Sequence, residues 1–108
     1  MILTLTLNPS VDHSVSVARW RKGRTNRPTA FWRDPGGKGI NVSRVIHRLG
    51  GDTTAYALVG GAPGQLVREA LEREGVALNL VEVSGDTRIN TIITDLSDGT
   101  QTRLNLPG

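Results

Sequence analysis

The 108-residue sequence has no cysteine and few aromatic residues: one phenylalanine, one tyrosine and two tryptophans. Without cysteine, neither a disulfide framework nor a thiolate metal site can form, which favours a cytoplasmic chain. The first residues have no basic segment and no long apolar run, because Thr4 and Thr6 interrupt the leucines and Asn8-Pro9 follows. They predict a strand, not a signal peptide or a membrane span. A chain of this length forms one domain at most.

The net charge of +3 is low for a nucleic-acid-binding protein. Its densest basic stretch runs from Arg19 to Arg27, contains Trp20, and is followed by Phe31 and Trp32. Basic and aromatic side chains in this arrangement could bind single-stranded nucleic acid. A solvated loop, or one that attracts an anionic small molecule, is the favoured interpretation. Nucleic-acid binding is kept as the weaker alternative.

The two histidines lack the spacing of a metal site. His13 and His47 have no nearby cysteine or second histidine in a ligand pattern, and no nucleophile motif accompanies them. We therefore interpret both as structural residues and expect no metal site.

Apolar residues alternate along some segments and recur with helical spacing along others. Strands alternating with helices predict an α/β fold with a mostly parallel sheet and flanking helices. The predicted strands are 2–7, 15–17, 29–32, 53–61, 76–83, 91–96 and 100–106, and the predicted helices follow Gly39 and Pro63. The strands near 15–33 are expected to form a small flap outside the main sheet, and Ser97-Asp98-Gly99 predicts a hairpin.

The first helix carries an apolar stripe that we expect to face the core. Its members are Val42, Val45, Ile46 and Leu49, whereas Ser43, Arg44, His47 and Arg48 are expected to face away. Gly50-Gly51 should end this helix and Gly75 the second. On the second helix, Leu66, Ala70 and Leu71 should be buried, and ion pairs are expected for Arg68 with Glu72 and Glu69 with Arg73.

A glycine-rich stretch, DPGGKGIN, precedes the first helix from Asp34 to Asn41. Such loops commonly bind anions or polar ligands through free backbone N–H groups. It is not the triphosphate loop, because Lys38 is followed by glycine instead of serine or threonine. Nor is it the dinucleotide fingerprint, because the third small position is Val42.

Several polar residues are expected at the edge of the sheet where ligands bind open α/β proteins. Asp12 follows the first strand, and Gly36, Gly37 and Asn41 lie at the start of the first helix. A carboxylate beside close-approaching backbone suits a polyhydroxylated ligand. Three basic residues, Lys38, Arg88 and Arg103, could add charge for a phosphate. Each residue also has a structural interpretation: Asp12 could close a turn, Asn41 could begin the helix, and the arginines could be exposed strand residues.

Five segments together resemble the amino-terminal part of the phosphofructokinase B group of ribokinase-like carbohydrate kinases. They are TLTLNPSVD, DPGGKGINVSRVIHRLGG, GGAPG, TRIN and LNLPG, in order along essentially the whole chain. Lys38 and TRIN are similar to the members that act on phosphorylated sugars, such as 1-phosphofructokinase, 6-phosphofructokinase and tagatose-6-phosphate kinase.

The resemblance implies that the glycine loop approaches the sugar and not ATP. Asp12 would bind sugar hydroxyls, Gly36 and Gly37 would line the sugar, and Asn41 would hydrogen-bond to it. The implied phosphate-binding residues are Lys38 and Arg88, with Arg103 as a further candidate. The implied domain spans 1–108 and is incomplete, with a core of 1–14 and 34–86 and lid strands at about 15–33 and 88–106. Such lids exclude water and, in relatives, often pair two subunits.

Members of the family are about three times this length. Their second half carries a Gly-Ala-Gly-Asp signature that supplies the general base, an anion hole and most of the ATP site, and these 108 residues do not match it. Catalytic residues are therefore expected outside this sequence, with ATP and Mg²⁺ used by the full-length family and neither bound here. The sequence predicts the sugar-phosphate-binding portion of a kinase, inactive alone. The alternatives are a standalone sugar-phosphate-binding or regulatory module and the nucleic-acid binder.

Overall fold

A computed structural model describes residues 1–107, and in that range it contains seven strands and two helices. Strands and helices alternate through the middle of the chain, which confirms the predicted α/β class. The elements are β1 Ile2–Thr6, β2 Ser10–Val17, β3 Ala30–Gly36, α1 Lys38–Arg48, β4 Thr53–Val59, α2 Gly61–Glu74, β5 Ala77–Glu82, β6 Arg88–Asp95 and β7 Gln101–Leu104.

The strands form two sheets. One is parallel, with the order β1-β4-β5, and the other, which we call the lid sheet, has the order β3-β2-β6-β7. Within the lid sheet, β2 and β6 pair in parallel, whereas β2 with β3 and β6 with β7 are antiparallel. β2 and β3 are longer than predicted, and β2 begins at Ser10, so Asp12 lies within a strand and not in a turn. The predicted division of the domain into core and lid stays a prediction.

The two sheets share one hydrophobic core with α2 between them. Leu71 and Val67 of α2 are fully buried and pack with Val11 of β2, Val59 of β4 and Ile40 of α1. Full burial of each such side chain contributes about 1.5–3 kcal/mol. Because Val11 belongs to the lid sheet, this core fixes the lid sheet against the parallel sheet.

The end of α2 agrees with the sequence pattern. Gly75 adopts a left-handed conformation with φ of 80°, as predicted, and its N–H donates to the carbonyl of Glu72. The predicted ion pairs on α2 are wrong: in residues 1–107 neither Arg68 with Glu72 nor Glu69 with Arg73 forms one. Glu74 instead bonds to Arg44 Nε at 2.7 Å and to Arg48 Nη2 at 2.8 Å, which ties α2 to α1.

The predicted orientation of α1 is also wrong. Ile40 and Ser43 are the fully buried residues of α1, while Val42, Val45 and Leu49 are exposed. Ser43 Oγ lies 2.6 Å from Thr4 Oγ1 and 2.9 Å from Thr53 Oγ1. The helix therefore packs on β1 and β4 through a chain of hydroxyl groups, because the side of the sheet that it covers carries threonines. The predicted stop at Gly50, with φ of 82°, is confirmed.

The hairpin after β6 forms as predicted. Gly99 has φ of 75°, and its N–H donates to the carbonyl of Asp95 at 2.8 Å. Asp95 Oδ1 also accepts from the backbone N–H and the hydroxyl of Ser97. Neither helix in the described part of the chain combines the length and apolar character that a membrane crossing requires.

Candidate functional site

The register of the lid sheet places most of the predicted site residues on one face. Asp12 lies opposite Asn90 of β6 and Asp34 of β3, and Ser10 lies opposite Arg88 and Gly36. Residues paired in this way, and those two positions apart along a strand, point to the same side of a sheet. We call this side the site face. Arg103 belongs to it as well, because it pairs with Ile92, two residues beyond Asn90.

Asp12 is half-buried and held at one of its two carboxylate oxygens. Its Oδ1 accepts from Ser10 Oγ at 2.8 Å and from Asn90 Nδ2 at 3.3 Å. Within residues 1–107, Oδ2 accepts no hydrogen bond and lies against the backbone of Gly36. A Cβ built at Gly36 would come 2.6 Å from Oδ2 and closer still to Ser10 Oγ. Glycine is needed there so that the loop can lie beside the carboxylate.

The other residues of the glycine loop have different roles. Gly37 precedes α1 with φ of 124°, a conformation that side-chain-bearing residues rarely adopt, and a Cβ there would meet Thr6 Cγ2 at 2.7 Å. Gly39 lets the helix pack closely on β1, since a Cβ would lie 2.9 Å from the carbonyl oxygen of Leu5. The first turn of α1 contains no acidic side chain. Its positive dipole end is therefore not neutralised by its own residues.

Lys38 and Asn41 are exposed residues of the first turn of α1. The backbone N–H of Asn41 donates to the carbonyl of Gly37 at 2.9 Å, which places it one helical turn from the loop. The side chain of Asn41 borders a shallow apolar surface with Val42, Val45 and Ile46. The predicted convergence of the Asn41 amide on the Asp12 carboxylate stays a prediction.

The two predicted arginines differ in their contacts. The Arg88 guanidinium donates to the carbonyls of Leu106 at 3.2 Å and Asn8 at 3.3 Å. Its Nε is buried and has no hydrogen-bond partner in the described part of the chain. Arg103 is exposed and donates to Gln101 Oε1. Arg88 thus already links the β1–β2 loop to the segment after β7, whereas Arg103 lies open on an edge strand.

Shallow cavities flank the glycine-rich turns. One of about 140 Å³ lies beside Arg88 and is lined by Asn8, Pro9, Asp86 and Thr87, among others. A second, of about 260 Å³, lies at the start of α2 and is lined by Gly60, Gly61, Gly64 and Arg68. The cavity beside Arg88 adjoins the site face, because Arg88 belongs to both.

His13 lies on the opposite face of the lid sheet from Asp12. Burial, and then the charge of Arg33, lower the pKa of His13 below its usual value, so it is neutral at pH 7. The rings of His13 and Phe31 form a T-shaped contact with centroids 5.8 Å apart, and the Arg33 guanidinium lies over the Phe31 ring. These contacts agree with a structural role for His13. In residues 1–107 no three metal-binding side chains lie close enough to hold an ion together.

The basic loop between β2 and β3 is a closed turn. Asn26 accepts from the backbone N–H of Arg21 and donates to the carbonyls of Arg21 and Arg24. Phe31 and Trp32 are adjacent on β3 and therefore point to opposite faces of the sheet. These two rings therefore cannot belong to one stacking surface, which weakens the nucleic-acid interpretation.

Two residues of the site face were not among the predicted site residues: Ser10 and Asn90. Ser10 lies two positions before Asp12, and Asn90 lies two positions after Arg88 in the TRIN motif. Because strand residues two apart share a face, this spacing could have identified both. The early start of β2 at Ser10 is not predicted, because Asn8-Pro9 indicates a break after the first strand and Asp12 could close a turn.

A model of the pfkB family of carbohydrate kinases matches residues 5–108. The chain is 43% identical over its full length to 1-phosphofructokinase of Bacillus subtilis, of which it covers 35%. It is 39% identical to tagatose-6-phosphate kinase of Staphylococcus epidermidis over 96% of the chain and 33% of that protein.

Solved structures give the same result for the fold. The crystal structure of phosphofructokinase-2 from Escherichia coli in complex with fructose-6-phosphate matches with a TM-score of 0.92 and 39% identity, over 99% of this chain and 35% of that one. The same enzyme has been solved in a tetrameric inhibited form. The chain spans about a third of the length of these relatives. By the match over residues 5–108, it belongs to the pfkB family of carbohydrate kinases.

Proposed function

We propose that the chain is the sugar-phosphate-binding portion of an ATP-dependent sugar-phosphate kinase. The main support is the Asp12 carboxylate, which Ser10 and Asn90 hold through Oδ1 while Oδ2 lies beside the backbone of Gly36. A carboxylate held in a fixed position suits a ligand with several hydroxyl groups, because each hydroxyl can donate to a carboxylate oxygen. The named relatives are kinases of phosphorylated sugars, which agrees with this chemistry.

The remaining site residues receive roles by their charge and position. We assign Asp12 and Asn41 to sugar hydroxyls, and Gly36 and Gly37 to the wall of the sugar site. The phosphate already on the substrate would interact with Lys38, Arg88 and Arg103. Arg88 combines a buried Nε that has no hydrogen-bond partner in residues 1–107 with an adjoining cavity, so it is the first of the three to be tested.

ATP and Mg²⁺ are assigned to the complete domain and not to these residues. Residues 1–107 hold no cluster of metal ligands, and the glycine loop lacks the serine or threonine of a triphosphate loop. The glycine loop therefore does not fit the phosphates of Mg-ATP in the manner of a triphosphate loop. For the same reason, the chain alone should bind sugar phosphate without producing ADP from ATP.

Titration calorimetry with fructose 6-phosphate, fructose 1-phosphate and inorganic phosphate tests the proposal. We expect a sugar phosphate to bind, and Asp12→Asn to weaken it roughly tenfold or more, because hydrogen bonds to a charged group are the stronger kind. Asp52→Asn is the matched control, since it removes an exposed carboxylate elsewhere in the chain. The assignment of Asp12 would be contradicted if the wild type and Asp12→Asn bound with equal affinity. It would also be contradicted if inorganic phosphate gave heat and neither sugar phosphate did.

A further inference from the structure

In residues 105–107, the segment after β7 is held to β6 by hydrogen bonds at Leu106. The backbone N–H of Leu106 donates to Asn90 Oδ1 at 3.1 Å, and the Leu106 carbonyl accepts from Arg88 Nη1 at 3.2 Å. Arg88 and Asn90 are two residues apart on β6 and therefore point to the same face. Both polar groups of one backbone residue are thus bound by the site face.

Asn90 is bonded on both sides of its amide. While its Oδ1 accepts from Leu106, its Nδ2 donates to Asp12 Oδ1 at 3.3 Å, and the residue is buried. A backbone N–H can only donate and a carboxylate can only accept, so both partners require the same orientation of the amide. This position needs a side chain that both donates to Asp12 and accepts from Leu106. Aspartate and leucine have nearly the shape of asparagine, but neither can make both hydrogen bonds.

We infer that Asn90 is a positioning residue that aims the Asp12 carboxylate at the sugar and couples it to the segment after β7. That the ligand is a sugar rests on the proposed function. The link from Asp12 through Asn90 to Leu106 rests only on the observed hydrogen bonds. Asn90 binds Oδ1 of Asp12, so that Oδ2 of Asp12 lies beside Gly36. At the same time Asn90 binds the backbone N–H of Leu106. Binding at Asp12 and ordering of Leu106 are therefore linked through one amide group.

Two substitutions separate the two bonds of Asn90. Asn90→Asp keeps an acceptor for the Leu106 N–H but replaces the donor to Asp12 with a second carboxylate. Asn90→Ala removes both bonds. Asn79→Ala, at an exposed position of β5, is the matched control, and circular dichroism checks that each variant is folded.

The first readout is hydrogen exchange of the Leu106 amide measured by NMR without ligand. Asn90→Ala should speed exchange roughly tenfold, the effect of losing one hydrogen bond, and Asn90→Asp should speed it much less. Asp12→Ala should also speed it, because the Asn90 amide then loses the partner that fixes its orientation. An unchanged Leu106 rate in both Asn90→Ala and Asp12→Ala would overturn the inference.

The second readout is affinity for fructose 6-phosphate by calorimetry. Both Asn90 variants should bind more weakly than wild type, Asn90→Asp at least as weakly as Asn90→Ala, and added sugar phosphate should slow Leu106 exchange in the wild type. If the wild type binds no sugar phosphate but Asp12→Ala speeds Leu106 exchange, the proposed function fails and the positioning link is upheld. Wild-type affinity in Asn90→Asp would overturn the positioning role even where Asp12 binds the sugar.

Discussion

The two faces of the parallel sheet differ in what covers them. On one face Thr4, Thr6, Ala55 and Ala57 are buried beneath α1 and α2, whereas on the other Leu3, Leu5 and Val81 are more than half exposed. Parallel sheets are normally covered on both faces. Since the chain spans about a third of its relatives, we expect the outer face to be the side that further elements cover in the complete domain.

Helix α1 repeats this contrast on a smaller scale. Its covered side combines Ile40 with Ser43, which lies between the hydroxyls of Thr4 and Thr53, and its open side is apolar, with Val42, Val45 and Leu49 exposed. Hydrophobicity alone would assign the two sides the other way round. The difference shows that an apolar stripe identifies a face that is to be buried, but not which neighbour buries it.

The largest expected effect of this contrast is self-association of the chain through its open apolar faces. β1 is also an edge strand, with unpaired backbone groups that a second strand can join. We expect Leu3→Lys combined with Leu5→Lys to convert associated species into monomer in sedimentation velocity experiments, because charge on an edge strand opposes pairing.

Phe31→Lys is the comparison variant for that experiment. Phe31 is exposed on β3, an edge strand of the lid sheet, where the family resemblance implies that subunits pair. If Phe31→Lys alone yields monomer, the lid sheet and not the open face of the parallel sheet is the interface. A wild-type chain that sediments as a monomer at all concentrations would contradict both.

Ser43 on the covered side of α1 and Val45 on its open side should contribute differently to the free energy of unfolding. Ser43→Ala should lower the free energy of unfolding by about 1–3 kcal/mol, because it leaves the buried hydroxyls of Thr4 and Thr53 short of a partner. Val45→Ala should change it by less than about 0.5 kcal/mol, because Val45 is exposed. Urea unfolding of both variants measures the difference, and a larger loss for Val45→Ala would show that the apolar side of α1 is covered in solution.

The fold was largely predictable because its local signals are strong. Gly75 and Gly99 adopt the left-handed conformations that helix ends and hairpins need, and the period of the apolar residues separates strands from helices. What the pattern could not predict was burial on α1 and β1. There the apolar side is exposed in residues 1–107, and hydroxyl groups that satisfy one another lie on the covered side.

The candidate site was predictable in part. Asp12 and Gly36 were selected from different segments, and the register of β2 with β3 brings them together. The spacing from Arg88 could have placed Asn90 on the same face, but its role depends on two distant partners, Asp12 and Leu106, that local sequence does not reveal. Arg88 was selected for its charge, but its bonds to two backbone carbonyls depend on the path of distant loops.

The smallest expected effect concerns Glu74, the ion-pair partner that joins α1 to α2. Burial raises the pKa of Glu74, but hydrogen bonds from Arg44 and Arg48, together with their charges, outweigh burial and leave the pKa below the ordinary value of 4.5. A depressed folded-state pKa stabilises the fold above pH 4.5, and this contribution is lost as the pH falls through the folded-state pKa.

Glu74→Gln should therefore lower the free energy of unfolding by about 0.5–1 kcal/mol at pH 7, the low value reflecting the solvent exposure of Arg48. The deficit should shrink as the pH falls below 4.5, because protonated Glu74 then resembles glutamine. Glu72→Gln removes the same charge from an exposed position of α2 and should show no such deficit. Thermal unfolding of the three proteins between pH 7 and acid measures this, and a deficit that persists unchanged in acid would show that Glu74 acts through packing and not through its charge.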